Sequence, residues 1–376
     1  MFRYFDQCAV ILVKFFLSCE PDRHFYRVIC MCRQQCRMTI SRLLLAVLAT
    51  ATATIALAQE TDFTTDKLSF TKVSDGVYVR FGQHLPISEN AVAHIANQGF
   101  IIGSRSVAII DPGGSKKAAQ ATLDALHEFT DLPVSHVIVT HVHPDHSLGL
   151  LAYSRGVKNS ANSGETESDR TEFDNTESGT DVEPILLGHP GLPGALAQNL
   201  DFFGERFADP QQLEHLQQQI DSNRITGIKP EHTIDLGDRV LVLTAFGDAH
   251  TGTDITVYDQ ASKILWAGDL LFVERLPVLD GSLRGWLDAM KSLDAMDIST
   301  VIPGHGRSGP WRGLANPQRQ YLQSLLDNAR AAVGNGTSLN KFVNSAPELY
   351  KLDQWELTDP QHPTNLSRAY TEVEWE

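Results

Sequence analysis

An α+β fold with two sheets packed face to face and helices outside them is the architecture this sequence predicts. Three observations predict it. Short apolar strands followed by a helix occur twice along the chain, without any sequence repeat. Metal-capable side chains stand at strand-ends in both halves. The apolar share of 42% and the mean hydropathy of -0.17 suit a globular protein with a core to fill. The 376 residues are enough for a large single domain or two smaller ones.

Residues 1–58 stand apart. They carry seven Arg and Lys against three acids, whereas the remainder carries 24 basic and 43 acidic residues, net -19. An acidic surface of that size repels phosphate backbones, which argues against nucleic acid and anionic membranes as partners of the folded part. Met38 to Arg42 is a short basic start, Leu43 to Ala56 is an uncharged run, and Ala56-Leu-Ala58 is a small-x-small cleavage pattern. Together they read as a signal peptide over about 38–58, so the protein is expected in the periplasm or outside the cell. The run is short for a membrane span, and no stable membrane insertion is expected after cleavage. A start at Met38 would make 1–37 an upstream extension that is not native. All five cysteines, Cys8, Cys19, Cys30, Cys32 and Cys36, fall before residue 37. With His24, the last three lack the spacing of common structural zinc sites, and the mature chain needs no disulfides.

The elements of the main domain, 59–376, follow in order. Phe70 to Arg80 reads as two strands joined at Ser74-Asp-Gly76. Gln98 to Gly103 and Ser106 to Asp111 are two more, turning at Ser104-Arg105. A helix over about Lys116 to Phe129 has Ala119, Leu123 and Leu126 at helical spacing. Val134 onward is an apolar, Val- and Ile-rich strand. Residues 154–184 are Ser, Thr, Asn, Gly, Asp and Glu with almost no large apolar side chains, which predicts a disordered acidic insertion in a surface loop. Ile185 to Gly188 returns to strand, and Pro193 to about Asn223 is helical. Thr233 to Ala249 holds a strand pair around Leu236-Gly-Asp238. Ile255–Tyr258 and Lys263–Ala267 are strands, Leu283–Met296 a helix, Thr300–Gly306 a short strand and loop, and Pro317–Val333 a helix. The remaining tail is mixed, and 315–376 is taken as a C-terminal helical extension.

The strand from Val134 ends in His141, His143, Asp145 and His146, four metal-capable groups within six positions. On a strand-end His141 and His143 point the same way. Pro144 then breaks the strand and can aim Asp145 and His146 at a neighbouring point. Two such pairs are what two adjacent divalent ions require from one loop. Further on, His250, Asp269 and His305 each stand in a Gly-containing loop after an apolar strand. The other nine histidines fall in ordinary contexts or, for His24, in the leader; His189, after the strand that follows the metal loop, is a candidate to line the cleft.

His141-x-His143-x-Asp145-His146 followed by His250, Asp269 and His305 resembles the ligand set of the metallo-β-lactamase-fold hydrolases, over about residues 68–310. The resemblance implies a four-layer αβ/βα sandwich with the site at the edge between the sheets. It implies two Zn2+ ions, with iron or manganese as alternatives. His141, His143 and His250 would hold the first, Asp145, His146 and His305 the second, and Asp269 would bridge them. Asp111 fits the acid that supports the metal loop from behind. A hydroxide between the metals would be the nucleophile, and Asp145 would orient the water and pass its proton to the leaving group. The Ala267-Gly-Asp-Leu-Leu271 and Pro303-Gly-His-Gly306 stretches are similar to the glyoxalase-II-like thioesterase and lactonase branch. Asn97 to Gly103, the metal strand and the Trp- and Glu-rich end resemble the quinoprotein relay system zinc metallohydrolases, periplasmic proteins associated with quinoprotein dehydrogenases. The expected activity is therefore hydrolysis of an ester-like bond in a small molecule, with a periplasmic quinoprotein dehydrogenase as a partner. Alternatives are an iron-dependent persulfide dioxygenase-like oxidoreductase, a β-lactamase, or a non-catalytic accessory to a quinoprotein.

Overall fold

The computed structural model describes residues 69–88, 91–153, 183–207, 210–344, 350–359 and 361–376. The expected signal peptide, the cysteines and the acidic insertion up to residue 182 lie outside the described residues.

One sheet has seven strands in sequence order: β1 Thr71–Ser74, β2 Val77–Arg80, β3 Gln98–Ile102, β4 Val107–Ile110, β5 Val134–Ile138, β6 Ile185–Gly188 and β7 Ile225–Gly227. The first four pair antiparallel and β4 to β7 run parallel. The other sheet has the order β12-β11-β10-β9-β8, with β8 Glu231–Asp235, β9 Val240–Ala245, β10 Ile255–Asp259, β11 Ile264–Phe272 and β12 Thr300–His305. Its β11–β12 pair is parallel and the rest antiparallel.

Period-two alternation decides which face each strand turns inward. Val77, Val79, Ile101, Ala108, Ile110, Ile138 and Leu187 of the first sheet form one buried cluster with Leu241, Leu243, Ile255, Val257, Ile264, Trp266 and Ile302 of the second. That cluster is the seam between the sheets. At β3 the inward position is Gly99, where a Cβ would lie 2.5 Å from Trp266 Cη2, so the glycine makes room for the indole. The alternate residues Phe100, Val107, Ile109 and Val137 pack outward under α1 Lys116–Leu126 and, through Leu192, Leu196, Phe203 and Leu216, under the helical region after β6. Leu265, Ala267 and Val301 likewise pack under helices on the far side of the second sheet. The result is the expected α+β sandwich of four layers.

Between β5 and the following helices lies α2 Pro144–Ser147, one turn long. The helical stretch after β6 is α3 Leu192–Arg206 and α4 Pro210–Asp221. On the other side are α5 Leu283–Leu293, α6 Trp311–Gly334, α7 Leu339–Val343 and α8 Gln361–Glu374. Three differences from expectation have physical reasons. The strand from Val134 stops at Ile138, so the histidines leave from a loop rather than from the strand itself. α6 starts at Trp311, and Pro317 is inside it. Proline usually marks a first turn, but buried Trp311, Leu314 and Ala315 carry the helix through it by packing. β7 is three residues long and exposed at two of them, too short to show a period. No helix among the described residues is long and apolar enough to cross a membrane.

Candidate metal centre

The C-terminal ends of β4, β5 and β12 and an irregular part of β11 meet at one place. Asp111 follows β4 with φ 50°, a left-handed conformation that an aspartate tolerates better than most residues. Its carboxylate accepts from Thr140 N at 2.8 Å, from Thr140 Oγ1 at 2.9 Å and from His146 Nδ1 at 2.8 Å. The loop after β5 is thereby pinned from behind. His143 is the N-cap of α2, with Pro144 at its first turn, and this single turn carries Asp145 and His146. Asp269 lies within β11, not at its end. The pairing of β11 with β12 shifts on either side of Gly268, whose φ is +52°. A Cβ at Gly268 would lie 2.7 Å from Thr140 Oγ1, so only glycine lets the strand kink here and turn Asp269 toward the histidines.

All seven predicted residues converge. His141, His143, His250 and Asp269 form one group of potential ligand atoms, and Asp145, His146 and His305 a second, with the atoms of each group within 4.8 Å of one another. Asp269 reaches both groups: Oδ1 is 3.2 Å from His146 Nε2, while Oδ2 is 3.4 Å from His250 Nε2, 3.4 Å from His305 Nε2 and 3.6 Å from His141 Nε2. Asp145 Oδ2 stands 3.4 Å from His305 Nε2 and 3.6 Å from His146 Nε2. Six of the seven are buried and His143 is partly exposed.

Each imidazole is oriented by its other nitrogen. Thr140 gives its one hydroxyl proton to Asp111, so it accepts from His141 Nδ1 at 3.1 Å. His146 Nδ1 donates to Asp111, His250 Nδ1 to Val278 O at 2.7 Å, and His305 Nδ1 to Ile95 O at 2.8 Å. His143 is turned the other way: Nε2 donates to Asp280 Oδ2 at 3.1 Å, leaving Nδ1 inward. Five lone pairs therefore face one space. His250 Nε2 and His143 Nδ1, both acceptors by this reckoning, stand 3.1 Å apart and need a cation beside them. His141 Nε2, His146 Nε2 and Asp269 Oδ1 are buried without hydrogen-bond partners. A donor set of this kind fits divalent ions.

The electrostatics divide the rings: burial opposes charge on all five, but the hydrogen bond to Asp280 outweighs it at His143, and the charges of Asp269 and Asp111 outweigh it at His146, so these two are raised. Burial holds His141 well below the usual imidazole range, pushes His250 down to about 3 and lowers His305, so these three rings favour the neutral, ligating form. At Asp269, burial alone would favour protonation, but His305, His146 and His141 outweigh it and hold the carboxyl well below its ordinary range. The hydrogen bond from His143 brings Asp280 down to about 2.

Residue type alone does not reveal Asp280, Thr140 or Asn97. Asn97 Nδ2 donates to Pro303 O and Gly306 O, both at 2.8 Å, and ties the start of β3 to the His305 loop. His189 does not join the donors: its Nε2 bonds Phe246 O at 3.0 Å and its Nδ1 accepts from Gly191 N at 3.0 Å.

The sequence profile described as the metallo-beta-lactamase superfamily matches residues 92–305, a span that runs from the loop before β3 to the last of these histidines. The chain belongs to the metallo-beta-lactamase superfamily. Members of that superfamily are generally metal-dependent hydrolases, and this chain, with its buried His and Asp cluster, is one. Among solved structures, a metallo-beta-lactamase from Pontibacter korlensis is 19% identical, with 68% of this chain and 99% of that chain covered and a TM-score of 0.49. TMB-1 is 16% identical over 68% of this chain and 97% of its own, with a TM-score of 0.47. VMB-1 is 18% identical over 69% and 97%, also with a TM-score of 0.47. No curated protein matches this superfamily member.

Proposed function

We propose that this superfamily member is an exported hydrolase that uses two zinc ions to cleave an ester-like bond, a thioester or lactone, in a small molecule. Asp269 carries the two-ion reading. One buried carboxylate presents Oδ1 to His146 at 3.2 Å and Oδ2 to His250 at 3.4 Å, so it faces both donor groups at once. In this reading His141, His143 and His250 would hold the first ion, Asp145, His146 and His305 would hold the second, and Asp269 would serve both. Bound ions would lower the pKa of a water towards roughly 7 and polarise the acyl oxygen. The chain's own residues supply the rest. Asp145, buried beside His146 and His305, would orient the water, accept its proton as the acyl bond is attacked and pass that proton to the leaving group. Asp111, Thr140, Val278 O, Ile95 O and Asp280 keep the five rings aimed.

The resemblance of Ala267-Gly-Asp-Leu-Leu271 and Pro303-Gly-His-Gly306 to the thioesterase and lactonase branch supports thioester or lactone over β-lactam. The leader pattern at 38–58 supports export, and the 97–103 motif supports association with a quinoprotein dehydrogenase. The deciding experiment takes the chain without its first 58 residues. Metal content is measured on the same sample that is assayed against thioesters, lactones and β-lactams, and for oxygen uptake with persulfide. About two zinc per chain with thioester or lactone turnover is expected; a folded protein that takes up no metal ends the proposal.

A further inference from the structure

The C-terminal helix α8 contributes no donor atom, yet it grips the loop behind two of the histidines. Asn365, Arg368 and Glu372 are spaced by three and four residues and share one helix face. Asn365 accepts from Leu279 N at 3.0 Å and donates to Pro277 O at 2.7 Å. Arg368 donates to Asp280 O at 2.9 Å and pairs with Asp280 Oδ1 at 2.5 Å. Glu372 accepts from Leu283 N at 2.6 Å, Ser282 Oγ at 3.0 Å and Arg284 N at 3.2 Å, at the start of α5. One helix face thus holds residues 277–284 along their length.

Within that stretch lie the two groups that orient His250 and His143, namely Val278 O and Asp280 Oδ2. Asp280 divides its oxygens, one to Arg368 and one to His143. Its side chain is 39% exposed, so without the guanidinium it can rotate into water. His143 would then lose the partner that keeps Nδ1 inward.

We infer that Asn365 and Arg368 are positioning residues for the His141–His143–His250 group, acting through the 277–284 loop. The inference rests on the reading that this group holds an ion. The C-terminal extension is then part of the metal centre's support, and its attachment sets the affinity of one ion and not the other.

The test compares wild type with Arg368→Ala, Arg368→Lys and Asn365→Ala. Zn2+ affinity is read by chelator competition. The Co2+-loaded proteins are examined by proton NMR for the shifted, exchangeable N–H of His143. Arg368 is 45% exposed, so Arg368→Ala should fold, and its metal-free melting temperature is measured alongside. The expected result is about a tenfold weaker affinity at the first group, faster exchange of the His143 N–H, an unchanged second group, and partial rescue in Arg368→Lys. Unchanged affinity and exchange in Arg368→Ala, in a wild type that binds two ions, would overturn this inference alone. Equal weakening of both groups with a collapsed metal-free melting temperature would also overturn it, since α8 would then only stabilise the fold. A wild type that binds neither ion would remove the site reading and the inference together.

Discussion

Asp269 Oδ1 and His146 Nε2 stand 3.2 Å apart, both buried and both without a hydrogen-bond partner. His146 is oriented by Asp111 and cannot turn its Nε2 away, and Asp269 is packed against Gly304. A buried carboxylate left in this state costs several kcal/mol unless a cation satisfies it.

Gly304 gives a direct way to test that arrangement. A Cβ there would lie 1.8 Å from Asp269 Oδ1, 2.8 Å from Gly268 C and 2.9 Å from Asp269 N, so Gly304→Ala must displace the carboxylate and strain the strand that carries it. Asp269→Asn removes its charge with little change of shape. Asp269→Asn is expected to fold, the melting temperature of Gly304→Ala is measured beside it, and both variants are expected to bind less zinc per chain than wild type by elemental analysis. A two-zinc Gly304→Ala protein with wild-type activity would show that the carboxylate does not lie between the groups.

Asp145→Asn separates chemistry from folding. The buried carboxylate sits against His146 and His305, and the amide is nearly isosteric. Turnover of the best substrate should fall by roughly 10²–10⁴, the usual range for a lost proton-transfer group, with little change in the unfolding midpoint. Retained turnover would mean that Asp145 handles no proton.

Asp111 accepts three hydrogen bonds from a left-handed backbone position. Asp111→Ala leaves Thr140 N, Thr140 Oγ1 and His146 Nδ1 without an acceptor and puts a less tolerant residue at φ 50°. A loss on the order of 2–5 kcal/mol is expected in urea unfolding. Asp111→Asn keeps an oxygen and tolerates the same backbone, so it should lose clearly less. Equal losses in the two variants would contradict this account.

The sequence exposes some of this arrangement and hides the rest for identifiable reasons. Val77–Arg80, Gln98–Ile102 and Val107–Ile110 are short, mostly apolar runs bounded by turn residues, so their strand character is local. His141, His143, Asp145 and His146 crowd into six positions, a density that surface solubility does not need. Asp280 is different: it is one aspartate in an ordinary loop, and its role exists only because α8 brings Arg368 to it from 88 residues away. The carbonyls of Val278 and Ile95 have no side-chain signature at all. Asp269 shows as a candidate by type, but its position depends on the break of register around Gly268, which pairing with β12 creates. Trp311 starts α6 because the core selects it, against the local signal of Pro317.

The C-terminal helices also make stability depend on pH. Asn365 Nδ2 donates to Tyr321 Oη, and Tyr321 Oη stands 3.0 Å from His362 Nδ1, which can accept the phenol proton only while the ring is neutral. Burial lowers its pKa to about 4. The unfolded chain takes up this proton near the ordinary value of roughly 6.5, but the folded protein does so only near 4. Stability from this group is therefore complete above about pH 7, is lost as the pH falls from about 6.5 towards 4, and changes no further below that. Urea unfolding at pH 7.5 and pH 5 should show wild type losing more stability than His362→Gln, whose amide oxygen can accept from Tyr321 without titrating. At pH 5 the wild type should take up about one more proton on unfolding than the variant. Identical pH slopes in the two proteins would place His362 in contact with water and refute the buried network between α6 and α8.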